Sequence, residues 1–375
     1  MRVLHVISDS NIGGAGVLLT SLLRHFDRDR VQSVVALPYR SALAERILSL
    51  GVPVRFLRYR ADRPSWQSVG EIARLLRAER IDLVHANAAI NARIAGRYQK
   101  IRVVYTRHCC YPPKGIWRLS AVQRLGGCFN NALCDHAIAT AEAARDDICR
   151  LGVDEGRVSV IINGSEAVRE VSEEELEAAR LAWGIPADAF VVGICARLEA
   201  CKGHETFLRA AQMLVEEGRR RIRFLIVGEG SRRDVLEEMT HTLGLDAFVR
   251  FTGFLGDVAP AYRLMDLNVN CSHGTETSCL AISEGMSAGV PAIVSDYGGN
   301  RAMVGDSLAG RIYPVGDSRV LADAIRTVMD DPHLEAQMRI AARERYLTAF
   351  SPQRMTEELT RVYEALGVHS AHRAE

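Results

Sequence analysis

No stretch of about 18 uncharged apolar residues occurs in this 375-residue chain, so no membrane-spanning helix is expected. The apolar start, Val3 to Ile7, is too short for the core of a signal peptide and runs straight into Ser8, Asp9, Ser10 and Asn11. A soluble, cytoplasmic chain that begins in structure is expected. Cys-x-x-Cys pairs and zinc-type Cys/His spacings are also missing. With nine cysteines, an odd number, this argues against a disulfide framework and a structural metal site and for a reducing compartment. There are no tandem repeats and no low-complexity segments, and lysine is nearly absent, with three against 44 arginines. What is present, 48% hydrophobic and 25% charged residues, excludes disorder, and the length suits two domains of roughly 150–200 residues each.

The formal charge of +1 conceals a split: residues 1–165 sum to +10 and residues 166–375 to −9. Between positions 83 and 134 stand Arg93, Arg97, Lys100, Arg102, Arg107, Lys114, Arg118 and Arg124, with no acidic residue. Such a field favours an anionic partner, either a phosphate-bearing molecule or a membrane surface. No nucleic-acid-binding motif accompanies the charge, so nucleic acid is not expected.

Short β-branched runs alternate with stretches of helical period, the pattern of parallel sheets covered by helices. In the first half the expected strands are Val3–Ile7, Ser33–Leu37, Val54–Leu57, Leu83–Ala86, Val103–Thr106, Ala137–Ala139 and Val158–Ile162. Residues 166–187, with Glu173-Glu174-Glu175 and Gly184-Ile185-Pro186, break this rhythm and are expected to link two domains. A second series follows, with strands Phe190–Cys195, Phe224–Val227, Val249–Thr252, Leu267–Asn270 and Ala292–Ser295, and the chain reads as helical from Ser318 to about Leu366. Open parallel sheets bind ligands beyond the carboxyl ends of their strands.

The segment richest in chemistry runs from Glu276 to Glu284, two carboxylates with seven residues between them, followed by Gly285, Gly289, Pro291 and Gly298-Gly299. A helix starting near Ser278 would place one glutamate before its N-terminus and the other inside it. Free N–H groups at such an end attract phosphate. A carboxylate accepts two hydrogen bonds from a vicinal diol, so this arrangement suits a ligand with hydroxyls on both sides of a phosphate.

The Glu-x7-Glu spacing, with Gly-x-Pro and Gly-Gly behind it, resembles the donor-site signature of retaining glycosyltransferases of family 4. Gly193 to Gly203, with Arg197-Leu198 and Lys202-Gly203, is similar to that family's first strand and loop of the second domain. Val227-Gly-Glu-Gly230, Phe251-Thr-Gly-Phe254, Asp266, Gly13-Gly14 and Asn163-Gly164 fall in the family's order. The resemblance covers about residues 1–366. It implies an α/β GT-B architecture: two facing Rossmann-like domains, 1–165 and 188–350, a cleft between them, and a C-terminal helix, 351–367, returning to the first domain.

The resemblance further implies a nucleoside-diphosphate sugar as donor, with a UDP-sugar preferred, and an anionic or lipid-linked acceptor met at the inner face of the membrane. Arg197 and Lys202 would hold the diphosphate and stabilise the charge that grows on it. A lysine at 202 stands out in a chain so poor in lysine, and the two cations are not interchangeable at a phosphate. Glu284 would take the ribose hydroxyls, Glu276 those of the transferred sugar, and backbone groups of Ser278, Cys279 and Leu280 the phosphates. Gly13 and Gly14 would let the first loop approach the donor. His108 matches a histidine that faces the sugar, and no metal or other cofactor is needed.

Two departures from the family pattern bear on the choice of sugar: Thr277-Ser278-Cys279 follows Glu276, and Asn300-Arg301 follows the glycine pair. A nonhydrolysing sugar-nucleotide epimerase and a silent nucleotide-sugar sensor remain as alternatives. A dinucleotide oxidoreductase is disfavoured, because Gly14-x-Gly16-x-x ends on Leu19 where that fingerprint needs a third glycine.

Overall fold

The β-branched runs form two separate sheets in which every strand pair is parallel. The structure, a computed structural model, describes residues 1–8, 14–87, 89–108, 120–274 and 277–367. The chain divides into two compact units, Met1–Gly164 with Pro352–Glu375, and Ser165–Ser351.

The first unit contains β1 (Arg2–Ile7), α1 (Gly14–His25), β2 (Gln32–Pro38), α2 (Leu43–Ser49), β3 (Val54–Leu57), α3 (Trp66–Ala78), β4 (Leu83–Asn87), α4 (Ile90–Tyr98), β5 (Arg102–Arg107), α5 (Ser120–Leu133), β6 (His136–Ala139), α6 (Glu142–Arg150) and β7 (Val158–Val160). Its seven strands lie in the order β3-β2-β1-β4-β5-β6-β7. Central strands are buried nearly throughout, which explains why they read as unbroken apolar runs.

In the second unit, α7 (Glu173–Trp183) precedes β8 (Phe190–Cys195), α8 (His204–Glu216), β9 (Ile222–Val227), α9 (Arg233–Thr242), β10 (Val249–Gly253), α10 (Ala259–Leu264), β11 (Leu267–Asn270), α11 (Leu280–Ser287), β12 (Ala292–Ser295), α12 (Asn300–Val304), β13 (Gly310–Tyr313), α13 (Ser318–Met329) and α14 (Pro332–Arg345). The strand order is β10-β9-β8-β11-β12-β13. The edge strand β13 was not expected from its sequence. Gly-Arg-Ile-Tyr carries little strand signal, and the pairing with β12 makes the strand.

The expected linker is different in the structure. Residues 166–187 belong to the second unit: Val168, Ala179 and Ile185 are buried in one cluster with Val191, Leu225 and Tyr262. The polarity that suggested a linker comes from α7, which begins with a capping box between Ser172 and Glu175 and ends at Gly184 in the left-handed conformation.

The last helix, α15 (Pro352–Ala365), is part of the first unit. Met355, Leu359 and Tyr363 recur at helical spacing and are buried with Leu18, Leu22 and Phe26. Arg30 adds ion pairs to Glu357 and Glu364 at 2.8 and 2.9 Å. Beneath them the Tyr363 hydroxyl lies 2.6 Å from Nδ1 of buried His85, whose Nε2 lies 2.6 Å from Thr106 Oγ1.

Tight backbone contacts shape the loops that leave the second sheet. Gly203 has φ +69°, and a Cβ there would stand 2.2 Å from the Cys271 carbonyl oxygen. Gly203→Ala should therefore cost the second unit about 2–4 kcal/mol, from left-handed strain plus steric overlap, read as a lower denaturation midpoint.

Candidate active site

In both sheets the strand order reverses at one place, between β1 and β4 and between β8 and β11. Loops diverge from the carboxyl ends of such a pair and leave room for a ligand. In the second unit the two loops at this point are the one after β8, with Arg197 and Lys202, and the one after β11, leading to Ser278, Cys279 and α11.

The β8 loop is held by its neighbour after β9. Leu198 N–H donates to the Glu229 carbonyl at 2.9 Å, and a Cβ at Gly228 would lie 2.1 Å from the Ala196 oxygen. Only glycine permits this approach. Lys202 then lines a small pocket together with Cys195, Asn270, Ser272, Ala281 and Ile282. Two segments 75 residues and more apart in sequence thus meet: the lysine loop and the first turn of α11. Arg197 is exposed on the same loop, outside that pocket, with no ion-pair partner among the described residues.

Cys279 occupies the position where Ser, Thr or Asp would commonly accept from the first turn of α11, and its side chain makes no capping hydrogen bond. The first turn also carries no acidic residue, so none of its own side chains opposes an anion at the positive dipole end. The Ser278 hydroxyl faces the Met303 sulfur at 3.9 Å. Any contribution of residues 278–280 to an anion therefore falls to their backbone.

Glu284 stands inside α11. Burial pushes its carboxyl up to about 7, against a hydrogen bond from the Tyr262 hydroxyl at 3.0 Å that favours the ionised form. Glu276 and Gly13 lie outside the described residues. Gly14 opens α1, and a Cβ there would meet no described atom within 4 Å, so packing does not require this glycine.

A buried polar network fixes the β11 and β12 ends. Asn270 Oδ1 accepts from Ser272 N–H at 2.9 Å and from Asn300 Nδ2 at 3.2 Å, and Ser295 Oγ donates to the Ser272 carbonyl at 2.6 Å. Asn300, which seemed a departure from the family pattern, thus locks the loop beside α11 from a fully buried position. Neither Asn270 nor Tyr262 was anticipated. Each falls inside an element whose apolar pattern hid its polar group.

In the first unit, His108 follows β5, with Nε2 2.9 Å from Asn87 Oδ1 at the end of β4. Burial holds its pKa down to about 4, so the ring is neutral at neutral pH, with Nε2–H donating to Asn87. Arg107 beside it is committed elsewhere, in a short ion pair with Asp147. The basic stretch is likewise reduced by tertiary pairing. Arg93 binds Asn130 and stacks on Tyr105, while Arg97 and Arg102 share Asp135. Lys114 and Arg118 lie outside the described residues. An Asp-x-Asp spacing does occur, at Asp27 and Asp29, but it closes a turn: Asp29 N–H donates to Asp27 Oδ1 at 2.9 Å.

A family model described as Glycosyltransferase Family 4 matches residues 12–168, and one described as Glycosyl transferases group 1 matches residues 176–345. This chain belongs to glycosyltransferase family 4. The glycosyltransferase is 28% identical over 296 residues to the putative glycosyltransferase EpsD of Bacillus subtilis, covering 76% of each chain. It is 32% identical to a D-inositol 3-phosphate glycosyltransferase of Saccharomonospora viridis over 196 residues, 50% of this chain and 45% of that one. Anabaena HepE in complex with UDP shares its fold with a TM-score of 0.84 at 23% identity, covering 97% of this chain and 100% of that one. The architecture is thus GT-B, with two Rossmann-like domains.

The two arginines divide by role. Arg107→Ala should lower stability by about 1–3 kcal/mol, because it leaves buried Asp147 with only the longer 4.0 Å contact to Arg150. Arg197→Ala should leave the melting temperature within a degree or two of wild type, since its guanidinium is exposed.

Proposed function

We propose that this glycosyltransferase is a retaining enzyme that moves a sugar from a nucleoside-diphosphate sugar, with UDP preferred, to an anionic or membrane-associated envelope or polysaccharide acceptor. The observation that carries the donor site is the meeting of Lys202 with the first turn of α11 at the switch point of the second sheet, with Glu284 one turn further along that helix. In this reading the diphosphate rests on the Ser278–Leu280 backbone between Arg197 and Lys202. The ribose diol takes Glu284, and Glu276 takes the transferred sugar. Structures of HepE hold UDP and UDP-glucose, which supports UDP as the nucleotide.

As the bond from the anomeric carbon to the diphosphate oxygen breaks, negative charge grows on the leaving group, and protein cations stabilise it. The acceptor oxygen then bonds to the same face of the anomeric carbon and passes its proton to the departing diphosphate, so configuration is retained. No metal is required in this reading.

A thermal-shift panel of UDP, GDP and ADP tests the donor site. The preferred nucleotide at 100 times its Kd should stabilise by about 2.7 kcal/mol. Transfer should survive EDTA, the product should keep the donor's anomeric configuration by NMR, and Glu284→Ala and Lys202→Ala should each lose at least about tenfold in transfer. A putative UDP-N-acetylglucosamine 2-epimerase of Listeria monocytogenes shares the fold at 12% identity with a TM-score of 0.66. Conversion of the donor to an epimer without acceptor would favour that activity and overturn transfer.

For the acceptor, the support is an apolar stripe on α5. Leu125, Cys128, Phe129 and Ala132 recur at helical spacing and are exposed, Leu125 by 72% and Phe129 by 55%. The opposite face is pinned, since a Cβ at Gly127 would lie 2.4 Å from the Gly152 oxygen. The exposed apolar side chains of α5 suit a lipid boundary, and the cations Lys114, Arg118 and Arg124 of the same stretch of sequence favour an anionic one. No helix among the described residues is long and apolar enough to cross a membrane. The protein should float with anionic liposomes at low salt and release at high salt, and Leu125→Asp with Phe129→Asp should abolish flotation. If wild type stays in solution at low salt, the membrane version fails and a soluble anionic acceptor takes its place.

A further inference from the structure

We infer that Tyr262 is a positioning residue for the donor site, setting the orientation and the ionisation of Glu284 so that one carboxylate oxygen is held and the other is presented to the nucleoside. The inference rests on the proposed donor site and deepens it.

Tyr262 lies on α10 and is fully buried. Its hydroxyl is 3.0 Å from Glu284 Oε2 and also 3.0 Å from the Ala281 carbonyl oxygen. The Cys195 thiol also lies in hydrogen-bond contact with this hydroxyl and can donate to its oxygen, but the hydroxyl carries one proton, so the two oxygen acceptors compete. Asn268 resolves the competition: its Nδ2 donates to the Ala281 carbonyl at 2.7 Å, so that oxygen is already satisfied. The tyrosine proton is thereby available to the carboxylate. When Glu284 is protonated, the hydroxyl can rotate back to Ala281, so neither state leaves it unpaired.

The groups around Glu284 give it little other support. From β8 comes the Cys195 thiol, pushed up by burial, and from the start of its own helix comes Cys279. No cation pairs with Glu284 among the described residues, and Oε1 has no partner there. Burial alone favours the neutral acid, which has fewer acceptor sites to offer a diol. A donor at Oε2 opposes this and leaves Oε1 to accept from the ribose. Binding then requires the ionised form, so affinity falls as pH drops below about 7 and binding there releases a proton.

The test is calorimetric binding of UDP, GDP and ADP to the full chain at pH 6, 7 and 8, with wild type, Tyr262→Phe and Glu284→Gln. The terminal phosphate of the nucleotide titrates near 6, so Glu284→Gln supplies the baseline and the difference from it isolates the carboxyl. Wild type should lose affinity more steeply than Glu284→Gln as pH falls. Tyr262→Phe should bind roughly tenfold more weakly at pH 7, with its pH midpoint raised by about one unit. An unchanged affinity, or a uniform loss with an unchanged midpoint, overturns the inference while the donor site stands. Should Tyr262→Phe fail to fold, equal pH profiles for wild type and Glu284→Gln overturn it equally. If wild type binds none of the three nucleotides, the donor site itself fails, and this inference fails with it.

Discussion

Two parallel strands whose chains leave in opposite directions cannot cover their own carboxyl ends, and the second unit is organised around that gap. β8 and β11 are paired through only two register positions, Leu267 with Val192 and Asn268 with Gly193. Beyond them the backbones diverge, one toward Lys202 and the other toward α11. The opening needs support, because loop carbonyls and amides there lose their ladder partners. Glycines at 203 and 228 let the loops touch neighbouring backbone, and Asn270, Ser295 and Asn300 satisfy the Ser272 N–H, the Ser272 carbonyl and the Ser295 carbonyl from the buried side.

The same gap explains the electrostatics. A helix N-terminus whose N-cap side chain makes no capping bond leaves N–H groups for other partners, an anion among them. Here it lies beside a lysine in a chain that has only three. Glu284, one turn further along, carries the opposite difficulty: a partly buried carboxyl supported by a single tyrosine hydroxyl. Neither group is placed for stability, and local features that oppose stability commonly gather where a ligand completes the structure.

The first unit treats its polar groups differently. His85 is held between Tyr363 and Thr106, and Arg93, Arg97, Arg102 and Arg107 all find partners within the unit. A basic run in sequence became mostly internal scaffolding, because Asp135 and Asp147 arrive from later elements that no local count includes. The exposed side of α5 is what that stretch leaves outward.

The sequence alone determined the α/β class, both strand series except β13, and the family, because buried parallel strands are apolar on both faces and helical period is a local property. It also marked Lys202, Glu284 and the α11 start, since residue type and spacing carry that chemistry. Tertiary structure decided what depends on distant residues meeting. It assigned 166–187 to the second unit through Val168, Ala179 and Ile185, built β13 by pairing, and turned Arg107 from a cation of the basic run into the partner of Asp147. It also placed Tyr262 against Glu284, 22 positions away on another helix. A tyrosine in an apolar stripe reads as core, and only the fold shows that its hydroxyl reaches a carboxylate.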